Sequence, residues 1–139
     1  MAVKVVILGG SFGGLTAAYE LRRQLGAEKA SITLLSKEPR FTFVPSLPWV
    51  AMGGRNLEQI SFDLAGPLAR KQVAFANETV LHIDPENRSV TTDRAEHRYD
   101  FLVIATGHRS ANEAVEGLGP FAGPGHSLMS APEAEELHT

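Results

Sequence analysis

The sequence predicts an α/β fold with a parallel sheet, a βαβ unit at the start and a small antiparallel β-meander inserted later. Three observations lead to this prediction. An apolar run at Val3–Leu8 ends in a glycine cluster, a helical pattern follows at once, and a second β-rich run, Ser31–Ser36, comes next. Strand, tight turn, helix and strand in this order are typical of parallel sheets. With 139 residues we expect one domain, spanning residues 1–139.

The first strand is predicted at Val3–Leu8, because a short and almost wholly apolar run is typical of a strand covered on both faces. A helix is predicted over Gly14–Leu25, where small and apolar residues recur at helical spacing and Gly26 supplies a stop. Ser31–Ser36 then completes the βαβ unit.

In the middle of the chain, an extended loop is predicted over Lys37–Pro48, because this segment holds three prolines. A short helix is predicted over Asp63–Lys71, with Asp63 as its cap. A third parallel strand is predicted at Val73–Phe75, and a meander of three short strands follows at Thr79–Asp84, Ser89–Thr92 and His97–Tyr99.

The chain then returns to the sheet at Phe101–Ala105, a continuous apolar run that stops at Thr106 and Gly107. A last helix is predicted to begin at Ser130, which has capping-box spacing to Glu133.

Composition excludes several functions. Lys and Arg number 13 against 16 Asp and Glu, so there is no basic surface for nucleic acid. The absence of cysteine removes disulfides, thiolate metal sites and cysteine nucleophiles, and the five histidines are too widely spaced to form a metal pair on one element, so no metal site is expected. The apolar run near the N-terminus is too short for a signal or a membrane span, and we expect a cytoplasmic or peripheral location.

The main motif is the segment GGSFGG, which consists of Gly9, Gly10, Ser11, Phe12, Gly13 and Gly14. In the dinucleotide fingerprint the first glycine permits a tight turn, the second lets the backbone approach a pyrophosphate, and the third lets helix and strand pack closely. Gly9 and Gly14 fit this pattern, and Ser11 replaces the middle glycine. The backbone amides and the helix dipole would still face an anion.

Two alternatives use the same residues. One is a plain NAD(P)-binding module, for which the ribose would meet Ser36 and Lys37 at the end of the second strand; Lys37 could favour a 2′-phosphate. The other is a serine hydrolase with Ser11 in a G-x-S-x-G elbow, although only eight residues precede Gly9 and leave no room for an oxyanion strand. Phe41, Phe43 and Trp49 could line a ring-shaped ligand or simply pack.

Three blocks together resemble the N-terminal FAD-binding region of sulfide:quinone oxidoreductase-like flavoproteins, within the two-dinucleotide-binding-domain or pyridine nucleotide-disulfide oxidoreductase superfamily. They are VVILGGSFGGLTAAYEL at 5–21, FTFVPSLPWVAMG at 41–53 and YDFLVIATG at 99–107. The resemblance implies a Rossmann-like FAD-binding domain that is part of a larger flavoprotein. It also implies electron transfer from a reduced donor, sulfide, to a quinone acceptor.

The resemblance further implies where FAD would bind. The pyrophosphate would lie at Gly9 to Gly14, the ribose at Ser36 and Lys37, the adenine near the backbone of Val80, and the isoalloxazine by Pro45, with Ala105, Thr106 and Gly107 close to the flavin side. No residue is assigned a catalytic role, because family members carry their redox cysteines beyond this stretch and Met129 stands about where a further one would be. The second nucleotide-binding domain is missing from these residues. Such a half exposes surface that this domain normally covers, which favours pairing of two copies.

Overall fold

The computed structural model describes residues 2–118 and 125–138 and has a mixed α/β architecture. Its strands and helices alternate at first, then give way to a run of short strands. The strands and α-helices of the described residues are β1 Val3–Leu8, α1 Phe12–Gln24, β2 Ala30–Ser36, β3 Arg40–Thr42, α2 Leu47–Ala51, β4 Ser61–Asp63, α3 Ala65–Arg70, β5 Ala74–Asn77, β6 Val80–Asp84, β7 Ser89–Thr92, β8 Glu96–Arg98, β9 Phe101–Ile104 and α4 Ala131–His138.

The chain divides into two compact units. The first comprises the described residues up to Phe41 together with Asp63–Gly107, and the second comprises Thr42–Phe62 and the described residues from His108 onward.

The first unit is built on a four-stranded parallel sheet in the order β5-β2-β1-β9. Val5 of β1 pairs with Ile32 of β2 on one side and with Phe101 of β9 on the other. All four strands run in the same direction, so their carboxyl ends lie along one edge of the sheet. This arrangement confirms the predicted parallel sheet and the predicted βαβ unit.

The core of the first unit lies on both faces of this sheet. Ile7 and Leu34 pack with Leu15 and Ala18 of α1 on one face, while Leu8 and Leu35 pack with Val90 of β7 on the other. Burial on both faces explains why β1 and β2 are nearly continuous apolar runs. The segments β6, β7 and β8 form a separate antiparallel sheet, and the predicted meander is therefore confirmed.

A single arginine joins three segments of the first unit. Arg22 Nη2 donates to the carbonyl oxygens of Ala30 at 2.9 Å and Gln72 at 3.0 Å, and Nη1 donates to Leu25 O at 3.3 Å. These bonds connect the last turn of α1 to the start of β2 and to the turn before β5. The planar guanidinium suits such multiple contacts.

The second unit has its own apolar cluster. Leu47 and Val50 of α2 pack with Ile60 and with Ala134 of α4. Glu133 is 7% exposed and accepts from the amides of Met129 at 2.9 Å and Ser130 at 2.8 Å. The predicted helix after Ser130 is present, and the carboxylate of Glu133 bonds to the Ser130 amide, as a capping box requires.

Two local predictions are wrong. Lys37–Pro48 is not an extended loop throughout, because it includes β3, a 3-10 turn at Val44–Ser46 and the start of α2. Pro45 and Pro48 occupy first-turn positions, where a missing N–H costs nothing. Asp63 does not cap α3, since it ends β4 and the residue before α3 is Leu64, which is fully buried.

Candidate nucleotide-binding site

The turn after β1 brings the chain against the neighbouring strand β9. Gly9 has φ +107°, a conformation that favours glycine, and its amide donates to Leu35 O at 2.8 Å. A Cβ on Gly9 would collide with the carbonyl oxygen of Ala105. The first glycine of the fingerprint therefore meets two requirements, a left-handed backbone and a close backbone contact.

Gly14 lies where α1 crosses the end of β1. A Cβ at this position would collide with the carbonyl oxygen of Gly9, an atom that cannot move without disturbing the turn. The structure thus has the close helix-to-strand approach that the sequence predicted for Gly14. In contrast, a Cβ on the preceding Gly13 would lie 3.4 Å from Ala105 Cβ, which is tight but tolerable.

The N-terminus of α1 is not capped by a side chain. Ser11 is the N-cap residue and makes no side-chain cap hydrogen bond, and the amide of Leu15 donates to Ser11 O at 2.9 Å. Among the residues that the structure describes, none accepts from the amides of Gly13 and Gly14. Such amides, with the positive end of the helix dipole, make a helix start suitable for binding an anion.

The tip of β2 lies beside the same turn. A Cβ on Gly10 would come within 2.8 Å of Ser36 Oγ and 2.6 Å of Leu64 Cδ1, so a side chain at this position would force the side chains of Ser36 and Leu64 to shift. Ser36 Oγ donates to Glu38 O at 2.9 Å. Lys37 Nζ lies 3.9 Å from Glu38 Oε1, and both side chains are exposed.

Asn77, at the end of β5, is a residue that the sequence analysis missed. Its Nδ2 donates to Ser36 O at 2.9 Å and to Lys37 O at 2.8 Å. The amide of Glu78 also donates to Ser36 O, at 3.1 Å. These contacts hold the tip of β2 from the side opposite β1. Asn77 lies two residues beyond the strand that the sequence predicted at Val73–Phe75, and it ends the observed β5.

Glu78 connects this corner to the meander. Its Oε2 accepts from Thr92 Oγ1 at 2.7 Å and lies 2.7 Å from His97 Nε2, and the side chains of Glu78 and His97 are largely buried. The Thr92 hydroxyl and then the His97 ring lower the pKa of Glu78 from its usual value. His97 is therefore a largely buried hydrogen-bonding partner of Glu78.

The remaining predicted residues fall in two places. In the first unit, Ala105 donates its amide to Leu8 O at 2.9 Å, Thr106 and Gly107 follow and are exposed, and Val80 is half-buried at the start of β6. Pro45 belongs to the second unit, where it is exposed within the 3-10 turn Val44–Ser46. Its place beside an isoalloxazine stays a prediction.

The three aromatic residues that could line a ring-shaped ligand belong to two different units. Phe41 is 7% exposed and packs edge-on against Phe12, with ring centroids 5.1 Å apart, so it is a core residue. Phe43 and Trp49 are both exposed residues of the second unit.

Ser11 does not have the geometry of a hydrolase nucleophile. A nucleophile elbow holds its serine in a strained, sharp turn. Ser11 has φ −97° and ψ −161°, which is ordinary extended backbone. Among the described residues, no histidine hydrogen-bonds to its side chain.

A parallel sheet, a glycine turn after its central strand and an uncapped helix start at its carboxyl edge define a Rossmann-like nucleotide-binding domain. The sequence profile described as "Pyridine nucleotide-disulphide oxidoreductase" matches residues 3–138. The chain belongs to this family.

Curated relatives and solved structures agree with this assignment. Sulfide-quinone reductase of Aquifex aeolicus is 39% identical over 142 residues, covering 99% of this chain and 33% of that protein. The X-ray structure of the sulfide:quinone oxidoreductase from A. aeolicus superimposes on this chain with a TM-score of 0.87 and 38% sequence identity. The superposition covers 99% of this chain and 31% of that one. The type II NADH:quinone oxidoreductase of Staphylococcus haemolyticus is 29% identical, covering 86% of this chain and 30% of that protein. The chain therefore spans about a third of the length of these curated relatives.

Among the described residues, no helix is both long enough and apolar enough to cross a membrane.

Proposed function

We propose that this chain is the FAD-binding part of a flavin-dependent oxidoreductase of the sulfide:quinone reductase type. The observation that carries the proposal is the packing of the glycine turn, where Cβ atoms on Gly9 and Gly14 would both collide with backbone oxygens. This packing leaves the uncapped start of α1 at the carboxyl edge of the sheet, where open α/β sheets bind nucleotides.

The residues present fit the adenosine diphosphate half of FAD. The free amides of Gly13 and Gly14 would receive the diphosphate, and the tip of β2 would receive the ribose. Beside Lys37 lies the carboxylate of Glu38, whose negative charge would repel a 2′-phosphate, so we propose a nucleotide without that phosphate as the ligand. Val80 and Ala105 to Gly107 are proposed to contact the remainder of the cofactor.

Bound FAD would supply the electron-transfer chemistry, and the protein would position the cofactor. Sulfide is the proposed electron donor and a quinone the proposed acceptor, because the relative that is 39% identical is described as a sulfide-quinone reductase. These 139 residues contain no cysteine, so no thiol among them can accept sulfur from sulfide. We propose that residues outside this stretch supply that step.

The cofactor assignment is tested with the purified protein, incubated with FAD and passed through a desalting column. Retained flavin absorbance supports the proposal. Tight NADPH binding without flavin uptake would instead support a plain nicotinamide module. The phosphate site is tested with Gly14→Val, which should abolish FAD retention, whereas Ser11→Gly should retain it.

These 139 residues alone should not oxidise sulfide, because they contain no thiol. The donor is therefore tested under anaerobic conditions on flavin-loaded protein that includes the residues proposed to accept the sulfur. Bleaching of the flavin absorbance by sulfide, followed by recovery on addition of a soluble quinone, supports the proposed reaction. Bleaching by NADH and not by sulfide would favour the chemistry of the NADH:quinone relative. The two donors are therefore compared at equal concentration in one experiment.

A further inference from the structure

We infer that Asn77 is a positioning residue that sets the affinity of the β2 tip for the adenosine ribose. This inference rests on the proposed function and extends it to a residue outside the dinucleotide fingerprint. The β2 tip is defined here as Ser36, Lys37 and Glu38, the residues at and just beyond the end of β2.

The β2 tip depends on contacts from outside its own segment. Within the segment, Ser36 Oγ donates to Glu38 O, and the Lys37–Glu38 pair is long and exposed. An exposed pair of this kind contributes little to stability. The hydrogen bonds from Asn77 Nδ2 to Ser36 O and Lys37 O, at 2.9 and 2.8 Å, hold two successive carbonyls of the tip from the neighbouring strand.

These contacts require a side chain that donates two hydrogen bonds. Both partners are carbonyl oxygens, which only accept hydrogen bonds, so the NH₂ group of Asn77 must face them. An aspartate of the same shape would place an acceptor against two acceptors. Asn77 itself sits at the end of β5, in register with Ser36, and is therefore fixed by the sheet.

The position of the tip decides where its own groups point. The carbonyls of Ser36 and Lys37 are fixed in place, so the backbone between these two carbonyls is fixed as well. The same contacts also orient the Ser36 hydroxyl, which lies beside Gly10. A ribose that hydrogen-bonds to this tip needs these groups to be in place before it binds, because ordering them on binding costs affinity. Asn77 thus acts on the ribose through the tip and not by contact.

The test compares ADP with inorganic pyrophosphate, both measured by displacement of FAD. ADP carries the ribose, whereas pyrophosphate engages only the amides at the glycine turn. Asn77→Ala should raise the Kd for ADP about tenfold, as expected from the loss of two neutral hydrogen bonds, and leave the Kd for pyrophosphate unchanged. Asn77→Asp should raise the Kd for ADP further. Asn87→Ala is the matched control, because the side chain of Asn87 bonds to Asp84 in an exposed turn, and neither Kd should change.

A merely structural role for Asn77 would lower the midpoint of thermal unfolding without changing the ratio of the two Kd values, and this result would overturn the inference. Equal weakening of both ligands would overturn it as well. Wild-type protein that binds neither FAD nor ADP would refute the proposed function itself. Unfolding curves without ligand show whether Asn77→Ala is folded. If it is not, Asn77→Ser, which keeps one side-chain donor in place of two, is measured instead, and its Kd values for ADP and pyrophosphate are compared in the same way.

Discussion

Replacing Gly14 by alanine tests the glycine turn with the smallest change available. The added methyl group would collide with the carbonyl oxygen of Gly9, and rotation of a side chain cannot relieve a clash with backbone. Overpacking of this kind costs up to about 3 kcal/mol. Alanine gains about 1 kcal/mol over glycine within a helix. We therefore expect Gly14→Ala to lower the free energy of unfolding by about 2 kcal/mol.

Gly13→Ala is the matched control, since it adds the same methyl group one residue earlier, where the nearest atom is 3.4 Å away. Urea denaturation followed by circular dichroism should place Gly13→Ala within about 1 kcal/mol of the wild type. FAD retention, measured on the same samples, should fall in Gly14→Ala. If the two variants unfold at the same urea concentration, the close approach of α1 to β1 does not require a glycine at position 14, and the reasoning is refuted.

Three further substitutions test other contacts, each against a neighbouring control. Arg22→Lys should lower the free energy of unfolding by about 1–2 kcal/mol, because a single ammonium nitrogen cannot take the positions of both Nη1 and Nη2, which contact carbonyl oxygens of three segments. Arg23→Lys, on the exposed side of α1, should change the free energy of unfolding by less than about 0.5 kcal/mol, and equal urea midpoints for the two variants would contradict this prediction. Glu133→Gln should lower the free energy of unfolding in urea by about 1–2 kcal/mol, because a neutral amide accepts more weakly from the Met129 and Ser130 amides. The control Glu135→Gln, at an exposed position, should leave the free energy of unfolding unchanged, and an equal loss in both variants would contradict the capping role. The pKa of Glu78 is lowered in the folded state, so its stabilising contribution is complete above the pKa of an unfolded glutamate and is lost as the pH falls toward the folded pKa. Glu78→Gln should therefore lose less stability in acid than the wild type, and an unchanged pH profile of stability would refute this prediction.

Burial also affects the acid response of Glu133. Desolvation alone would raise the pKa of this carboxyl, but hydrogen bonds from the Ser130 side chain, the Ser130 and Met129 amides and the Ser127 hydroxyl outweigh it and lower the pKa. The pKa of Glu133 is therefore shifted in the same direction as that of Glu78, and its stabilising contribution is likewise lost as the pH falls. A pH profile of the Glu133→Gln variant should show the same flattening in acid.

The sequence was sufficient to predict the sheet and the glycine turn, because both depend on strong local patterns. Strands covered on both faces must be continuously apolar, and the ends of β1 were predicted correctly for that reason. Gly9 and Gly14 were identified because few other roles need glycines at this spacing after a strand. The packing distances at these glycines are consistent with that interpretation.

The errors arose where tertiary contacts decide the local structure. Prolines at 45 and 48 indicated an extended loop, yet a proline is also suited to the first turn of a helix, and burial of Leu47 and Val50 favours the helix. Asn77 was missed because its partners are 40 and 41 residues away in the sequence. No local pattern indicates that a strand-ending asparagine will bond to a neighbouring tip.

The carboxyl edge of the sheet is held by two kinds of contact that act at different strands. At β1 and β9 the restraint is steric, because any side chain at position 9 or 14 would displace a backbone oxygen. At β2 and β5 it is polar, because Asn77 supplies donors that only a suitably placed amide can supply. Loss of a steric restraint and loss of a polar one are separable by experiment, since the first should weaken every ligand that carries a diphosphate and the second only those that carry a ribose. A fold-change shared by ADP and pyrophosphate therefore indicates damage at the glycine turn, and one confined to ADP indicates damage at the β2 tip.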